Sequence, residues 1–191
     1  MQEFIDHIST QLHLSPSMKE RLLSLTTVQK FKKGDTLGPE YSIQGRVFLI
    51  KSGAARIYYL KEGKDITTWF AFEKDLLISI RSKFSRQEYP EIIEFLEDTE
   101  VITIQWRERR DPAKESNIFI YSMANRILLA YSRFLEERLI VLQNKTAKER
   151  YEWVVTRYPH LLQRARLGQI ASYLGITKET LYRIRSGKYS G

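Results

Sequence analysis

The sequence predicts an α+β chain in three consecutive parts: a β-rich N-terminal region, one long helix, and a C-terminal region built only of helices. Three observations carry this. From Val28 to about Trp106, turn signals recur between short runs rich in β-branched and aromatic residues. From Lys114 to Gln143, neither Gly nor Pro interrupts a helical pattern. Beyond it the pattern breaks into short helices separated by Pro159 and Gly175. A length of 191 residues suits one large domain or two small ones.

The elements follow in order. Phe4, Ile5, Ile8 and Leu12 have helical spacing. Ser15-Pro16 opens a second short helix, with Ser15 as cap, Pro16 at its first position, and Met18, Leu22, Leu23 and Leu25 as its apolar residues. Turns then fall at Lys33-Gly34-Asp35, Leu37-Gly38-Pro39, Ser52-Gly53 and Glu62-Gly63-Lys64, and strands are expected over residues 47–50, 55–60, 66–72, 92–96 and 101–106. Many short strands at such spacing indicate a small barrel, roll or sandwich. Asp111-Pro112 marks a boundary. The helix over residues 114–143 would be about 45 Å long. Tyr121, Ala124, Leu128, Tyr131, Leu135 and Leu142 follow alternating steps of three and four, interrupted at Arg138, like a coiled-coil seam. Ile127, Leu129, Phe134 and Leu139 supply a second apolar surface, so one face can meet the β-rich region and another a twin helix. A long helix packed only on its own sheet is the alternative. Further helices are expected over 147–158, 167–174 and 178–186. No internal repeat or low-complexity segment is present.

Composition narrows the function. The apolar fraction is 42%, ordinary for a globular domain, and no apolar run is long enough to span a membrane. No secretory signal opens the chain, and a cytoplasmic location is expected. With no cysteine there is no disulfide, thiolate nucleophile, cysteine-bound zinc or iron–sulfur cluster. His7, His13 and His160 are scattered, so no metal or haem ligation is expected. The net charge is +8. Residues 145–191 hold ten bases against three acids, a local charge of +7 that leaves +1 for the rest. A cationic patch of this kind suits a polyanion, since neutralised phosphates release condensed counterions.

Within that basic quarter, residues 167–185 have the parts of a helix-turn-helix. Ile170 and Leu174 share one helix face, and Ala171 is small where two helices would cross. Gly175 falls where the turn needs a left-handed residue, Ile176 fills the corner and Thr177 can cap the second helix. Leu181 and Ile184 would bury that helix, leaving Lys178, Glu179, Tyr182 and Arg183 outward. An arginine can bond a guanine edge twice and a carboxylate can accept from cytosine. Thr180 and the helix N-terminus can hold phosphate. An ordinary helical hairpin would not require this set of residues at these offsets.

These residues bring a family into view. Residues 170–185 (IASYLGITKETLYRIR) resemble the helix-turn-helix of bacterial Crp/Fnr regulators, in particular the short Bacteroidetes type. Residues 31–37 resemble the first hairpin of the cyclic-nucleotide-binding β-roll, residues 47–59 its next strands, and residues 63–70 a further strand pair. The resemblance implies an N-terminal β-roll sensor domain of double-stranded β-helix or jelly-roll type over 1–113, a dimerisation helix over 114–143 and an all-α DNA-binding domain over 144–191. It places base-reading roles on Lys178, Glu179 and Arg183 and a phosphate contact on Thr180. It implies a homodimer that binds duplex DNA, with RNA polymerase as a further partner and no membrane. Residues 75–97 lack the Gly turn and the Arg-Ser/Thr-Ala stretch of the family's phosphate cassette, although Arg81, Ser82, Lys83 and Arg86 bring charge. The hydroxyl pair that meets the purine becomes Arg133 and Phe134. Cyclic AMP is therefore not expected as a cofactor, and the effector is unknown. A counterpart of the family's wing hairpin is not expected within residues 186–191.

No nucleophile–histidine–carboxylate arrangement, P-loop or dinucleotide fingerprint is present, so no enzyme is expected. Glu91, Glu94, Glu97, Asp98 and Glu100 are expected on the wet face of strands or a turn, and Lys32, Lys33 and Arg107 to Arg110 as solvated surface charge. The rival to a DNA-binding regulator is a small-ligand module whose helical tail contacts protein.

Overall fold

The computed structural model describes residues 2–11, 13–38, 46–77, 89–105 and 116–189. Leu12, Pro39, Trp106, Arg107 to Pro112, Lys114, and the cassette residues Arg81, Ser82, Lys83 and Arg86 lie outside them.

Helices α1 (Gln2–Gln11) and α2 (Pro16–Ser24) come first. Ser15 has an extended backbone and its hydroxyl accepts the Met18 N–H at 3.3 Å, the expected cap. Strands β1 (Thr26–Phe31), β2 (Thr36–Leu37), β3 (Arg46–Ser52), β4 (Ala55–Lys61), β5 (Lys64–Ala71), β6 (Leu76–Leu77), β7 (Ile92–Phe95) and β8 (Thr99–Gln105) follow. They pair antiparallel into two four-stranded sheets, ordered β1-β8-β3-β6 and β2-β7-β4-β5. The chain is α+β, and its β-rich part is a two-sheet roll.

One expectation is corrected. Residues 31–37 do not form a hairpin, because β1 pairs with β8 and β2 with β7. The turn at Gly34 instead carries the chain from one sheet to the other. Gly34 takes φ +89, and the Asp35 carboxylate accepts the Lys32 N–H at 2.7 Å. The same corner recurs between β5 and β6, where Asp75 accepts the Phe72 N–H at 3.0 Å and Lys74 holds the left-handed position at φ +72. The two corners share geometry without sharing a legible sequence repeat.

Side chains alternate across each strand. Phe48, Ile50 and Val101 of one sheet meet Ala55, Ile57, Ile93 and Phe95 of the other inside the roll. Val47, Leu49, Ile102 and Ile104 face outward from the first sheet and bury Ile5, Ile8 and Leu22 together with Met123 and Ile127 of the long helix. Gly53 is required at its turn: at φ +100, a Cβ there would lie 2.7 Å from the Thr99 Cα.

The helical part comprises α3 (Ser116–Asn144), α4 (Ala147–Arg157), α5 (Leu161–Arg164), α6 (Leu167–Leu174) and α7 (Lys178–Arg185). Thr146 and Glu149 form a reciprocal capping box at the start of α4, and the Thr146 backbone N–H donates to the Glu149 carboxylate at 2.7 Å. The one-turn α5 has no forewarning in the sequence pattern. Val154, Leu161, Ile170, Ala171, Tyr173, Leu174 and Leu181 form a third core, which is continuous with Ala54, Phe70 and Leu96 of the roll.

Candidate nucleic-acid interface

Helices α6 and α7 are set by the turn between them. Gly175 adopts φ 65, ψ 34 and its N–H returns to the last carbonyls of α6. Thr177 is extended and its hydroxyl accepts the Thr180 N–H at 3.1 Å, with the two threonine hydroxyls 3.0 Å apart. Leu181 is fully buried and Ile184 half-buried. These apolar residues fix the roll of α7 about its axis, so Lys178, Glu179, Tyr182 and Arg183 are all exposed, Tyr182 to 67%. Thr180 is half-buried beside the cap. The Glu179 carboxyl is held below its ordinary value by hydrogen bonds at the helix start and by Lys178. The second helix therefore presents one cation, one anion, a phenol and a guanidinium on a single outward face.

The basic quarter is not uniformly outward. Arg150 sends its guanidinium inward to three carbonyls: Lys145 at 3.0 Å, Leu174 at 3.2 Å and Leu142 at 2.6 Å. It joins the ends of α3 and α6. Arg164 donates to both oxygens of Glu73 at 2.8 Å and to Glu97 at 2.6 Å. The sequence signal for these roles was absent, since a charge count does not say which way a side chain turns.

The acidic cluster is corrected in the same way. Glu94 accepts from Arg56 Nε at 2.6 Å, and Arg56, only 3% exposed, also bonds Asp65 and Thr67. Glu91 is buried, and Glu97 is taken by Arg164. Glu100 sits between Lys30 and Lys51, which hold its pKa down to about 2. Lys32 and Asp98 are exposed, as expected, and pair with each other at 2.8 Å.

The six residues expected in a seam along α3 divide. Tyr121 is 74% exposed, and Leu128 and Leu135 are exposed. Ala124 and Leu142 are half-buried. Tyr131 turns to the roll, where its ring stacks on Trp69 at 5.5 Å. Phe134 packs on the same indole at 3.9 Å. Arg138, the break in the sequence pattern, lies over the Tyr173 ring at 3.9 Å and donates to the Tyr173 carbonyl at 3.0 Å. On the exposed side Leu139 is 53% exposed, and Leu129 and Ile140 are exposed as well.

Where α3 crosses the roll, Ile57, Thr68, Trp69, Glu91, Tyr131, Leu135 and Arg138 line a cavity of about 150 Å³. Ligand pockets usually run to about 300–1,000 Å³. Among the described residues, no group of three or more His, Asp or Glu is arranged to hold a metal. No helix among them is long and apolar enough to cross a membrane.

No protein-family model matches the chain, and no curated protein sequence matches it. Solved structures do. FixK2 from Bradyrhizobium japonicum superposes with a TM-score of 0.60 at 22% identity, over 85% of this chain and 83% of that one. A CooA mutant from Carboxydothermus hydrogenoformans gives 0.59 at 22% identity, over 87% and 78%. A protein from Eubacterium rectale assigned to the Crp/Fnr family of transcriptional regulators gives 0.56 at 20% identity, over 92% and 83%. At these identities the likeness establishes the architecture: the chain has the fold of the Crp/Fnr regulators, roll, long helix and helix-turn-helix in that order.

Proposed function

We propose that this chain is a sequence-specific DNA-binding transcription regulator that works as a homodimer. The observation that carries the reading is the outward face of α7: Lys178, Glu179, Tyr182 and Arg183 exposed together on a helix whose opposite side is locked into the core. A major groove admits one helix, whose N-terminal residues reach the base edges. Arg183 reads guanine, Glu179 accepts from cytosine, and Lys178, Thr177, Thr180 and the open N-terminus of α7 hold the phosphate backbone. Tyr182 lies between them and packs on the groove wall.

A dimer supplies the second reading helix. The exposed stripe of α3 runs Tyr121, Asn125, Leu128, Ser132, Leu135, Leu139, in steps of four and three. It lies beside the roll-facing side marked by Met123, Ile127 and Tyr131. Ala124 and Leu142 flank this stripe. The polar pair Asn125 and Ser132 fixes the register of two parallel helices at some loss of stability.

The Trp69–Tyr131–Phe134 stack narrows the crevice between roll and long helix to a cavity of about 150 Å³, below the usual ligand-pocket range, so the sensor is degenerate towards cyclic nucleotides. The chain is not an enzyme on this reading; it acts in the cytoplasm on DNA, with RNA polymerase as the downstream partner.

The test is selection of duplex DNA by the full chain, followed by fluorescence anisotropy over a range of salt. Wild type should prefer selected over random duplex, with affinity falling steeply as salt rises. Arg183→Ala should lose about 1–3 kcal/mol per half-site and relax one base position. Equal affinity for selected and random duplex refutes the reading. Tight calorimetric binding of a cyclic nucleotide would favour the small-ligand module instead.

A further inference from the structure

The face of α6 opposite to α7 is not spare surface; it is fastened to the roll. The Ser172 hydroxyl accepts the Thr67 N–H at 2.9 Å and donates to the Asp65 carbonyl at 2.9 Å. Among the described strands, β5 lies at the end of its sheet, where backbone groups are left for another partner. Ser172 thus pairs with that edge as a short strand would. Gln169 accepts the Arg166 N–H at 2.9 Å, closing the start of α6, and its amide reaches Glu94 at 3.4 Å, beside the buried Arg56. The Arg164 side chain, only 16% exposed, bonds Glu73 and Glu97 and lies 4.9 Å from the Phe72 ring. Every one of these Arg164 partners belongs to the roll. Phe70 against Tyr173 at 5.2 Å and Phe72 against Tyr158 at 5.2 Å fill the space between. On the other side Arg138 ties α3 directly to Tyr173 of α6. The path from the long helix to the reading helix is therefore α3, Arg138, α6, α7, braced against the roll.

We propose that Arg164 and Ser172 are positioning residues for DNA binding: they clamp the helix-turn-helix to the roll and so set which half-site spacing the dimer accepts. This rests on the DNA-binding reading above. A freely hinged helix-turn-helix could follow half-sites over a range of separations. A clamped one cannot, because changing the spacing by 2 bp turns one half-site by about 70° around the duplex and shifts it by about 7 Å. The two residues are separable from folding of the reading unit, since neither donates to nor accepts from a side chain of the α6–α7 core in the bonds just described. The clamp does not mask α7, whose reading residues remain exposed in the clamped state.

The experiment measures affinity of the full-length wild type, Arg164→Glu, Arg164→Lys and Ser172→Ala for duplexes carrying two selected half-sites. Spacings run from two below to two above the selected value, and a duplex with a single half-site serves as reference. Arg164→Glu places a third carboxylate against Glu73 and Glu97 and drives the junction apart, whereas Arg164→Lys keeps the charge. Wild type should discriminate against a 2 bp change by about tenfold or more, a difference of about 1.4 kcal/mol. Arg164→Glu should flatten this to about threefold or less, with single half-site affinity within about twofold of wild type. Ser172→Ala should fall between, and Arg164→Lys should recover most of the discrimination. Unchanged spacing preference in Arg164→Glu and Ser172→Ala overturns the clamp and leaves DNA binding intact. An equal loss on every duplex, the single half-site included, also overturns it, because Arg164 would then support the reading unit itself. Wild type that binds no selected duplex above random DNA fails at the earlier step, the DNA-binding reading.

Discussion

At the residue scale, the informative side chains are the arginines that face inward. Arg150 satisfies three carbonyls at the junction of α3, α4 and α6. Hydrogen bonds from a charged donor contribute about 1.5–3 kcal/mol each, and buried carbonyls left alone cost about as much. Arg150→Ala should therefore destabilise the fold by about 2–4 kcal/mol in urea unfolding. It should leave the salt dependence of DNA binding unchanged, because the guanidinium meets no phosphate. Arg183→Ala should leave the urea midpoint unchanged and lower the preference for selected over random duplex. In the sequence Arg150 is only one of the ten bases of residues 145–191, and nothing near it marks an inward direction. That direction follows from which helix face packs, which is decided by Leu142, Leu174 and Val154 far apart in the chain. By contrast, the outward set on α7 was legible, because Leu181 and Ile184 already mark the buried side within four residues of each other.

At the element scale, α3 carries two loads at once. One side buries Met123 and Ile127 against the first sheet, and Tyr131 and Phe134 against Trp69. The neighbouring side exposes Tyr121, Leu128, Leu135 and Leu139. The apolar spacing of α3 was visible in the sequence, but which of its residues turn to the roll was not. Tyr131 is large, aromatic and correctly spaced for a seam, yet Trp69 lies opposite it, and a pairing between residues so distant along the chain leaves no local trace. The exposed stripe predicts that Leu128→Glu with Leu135→Glu converts a dimer to a monomer in analytical ultracentrifugation, with the roll still folded by circular dichroism. A monomeric wild type, or a doubly substituted chain that stays dimeric, would count against α3 as the seam. The β1–β2 corner shows the same limit: Gly34-Asp35 announces a turn, and whether it closes a hairpin or changes sheet depends on where β8 and β7 lie.

At the scale of the whole molecule, the roll and the helix-turn-helix share a core and an ionic seam. Arg164 holds the Glu73 carboxyl down to about 2 from an ordinary 4.5. A carboxylate whose pKa falls on folding adds stability in full above its unfolded value and loses it as pH drops through the folded one. The junction should thus be intact above about pH 4.5 and weaken between there and about pH 2, first seen as faster amide exchange along β5 and α6. Glu73→Gln should remove the part of that loss which depends on Arg164. A junction whose exchange is flat across this range would contradict the assignment. The order of roll, long helix and helix-turn-helix was readable from turn signals, an unbroken helical run and one motif. The docking of α6 on β5 was not, because Ser172, Gln169 and Arg164 look like ordinary polar surface until the strand edge is placed beside them.

Among the described residues, α6 and its neighbours carry the anchoring to the roll, and the outer side of α7 lies clear of the core. Lys178, Glu179, Tyr182 and Arg183 can be exchanged for other letters without touching a packed contact. On the proposed DNA-binding reading, evolution or an engineer rewrites the operator in four positions while the rest of the chain is inherited whole.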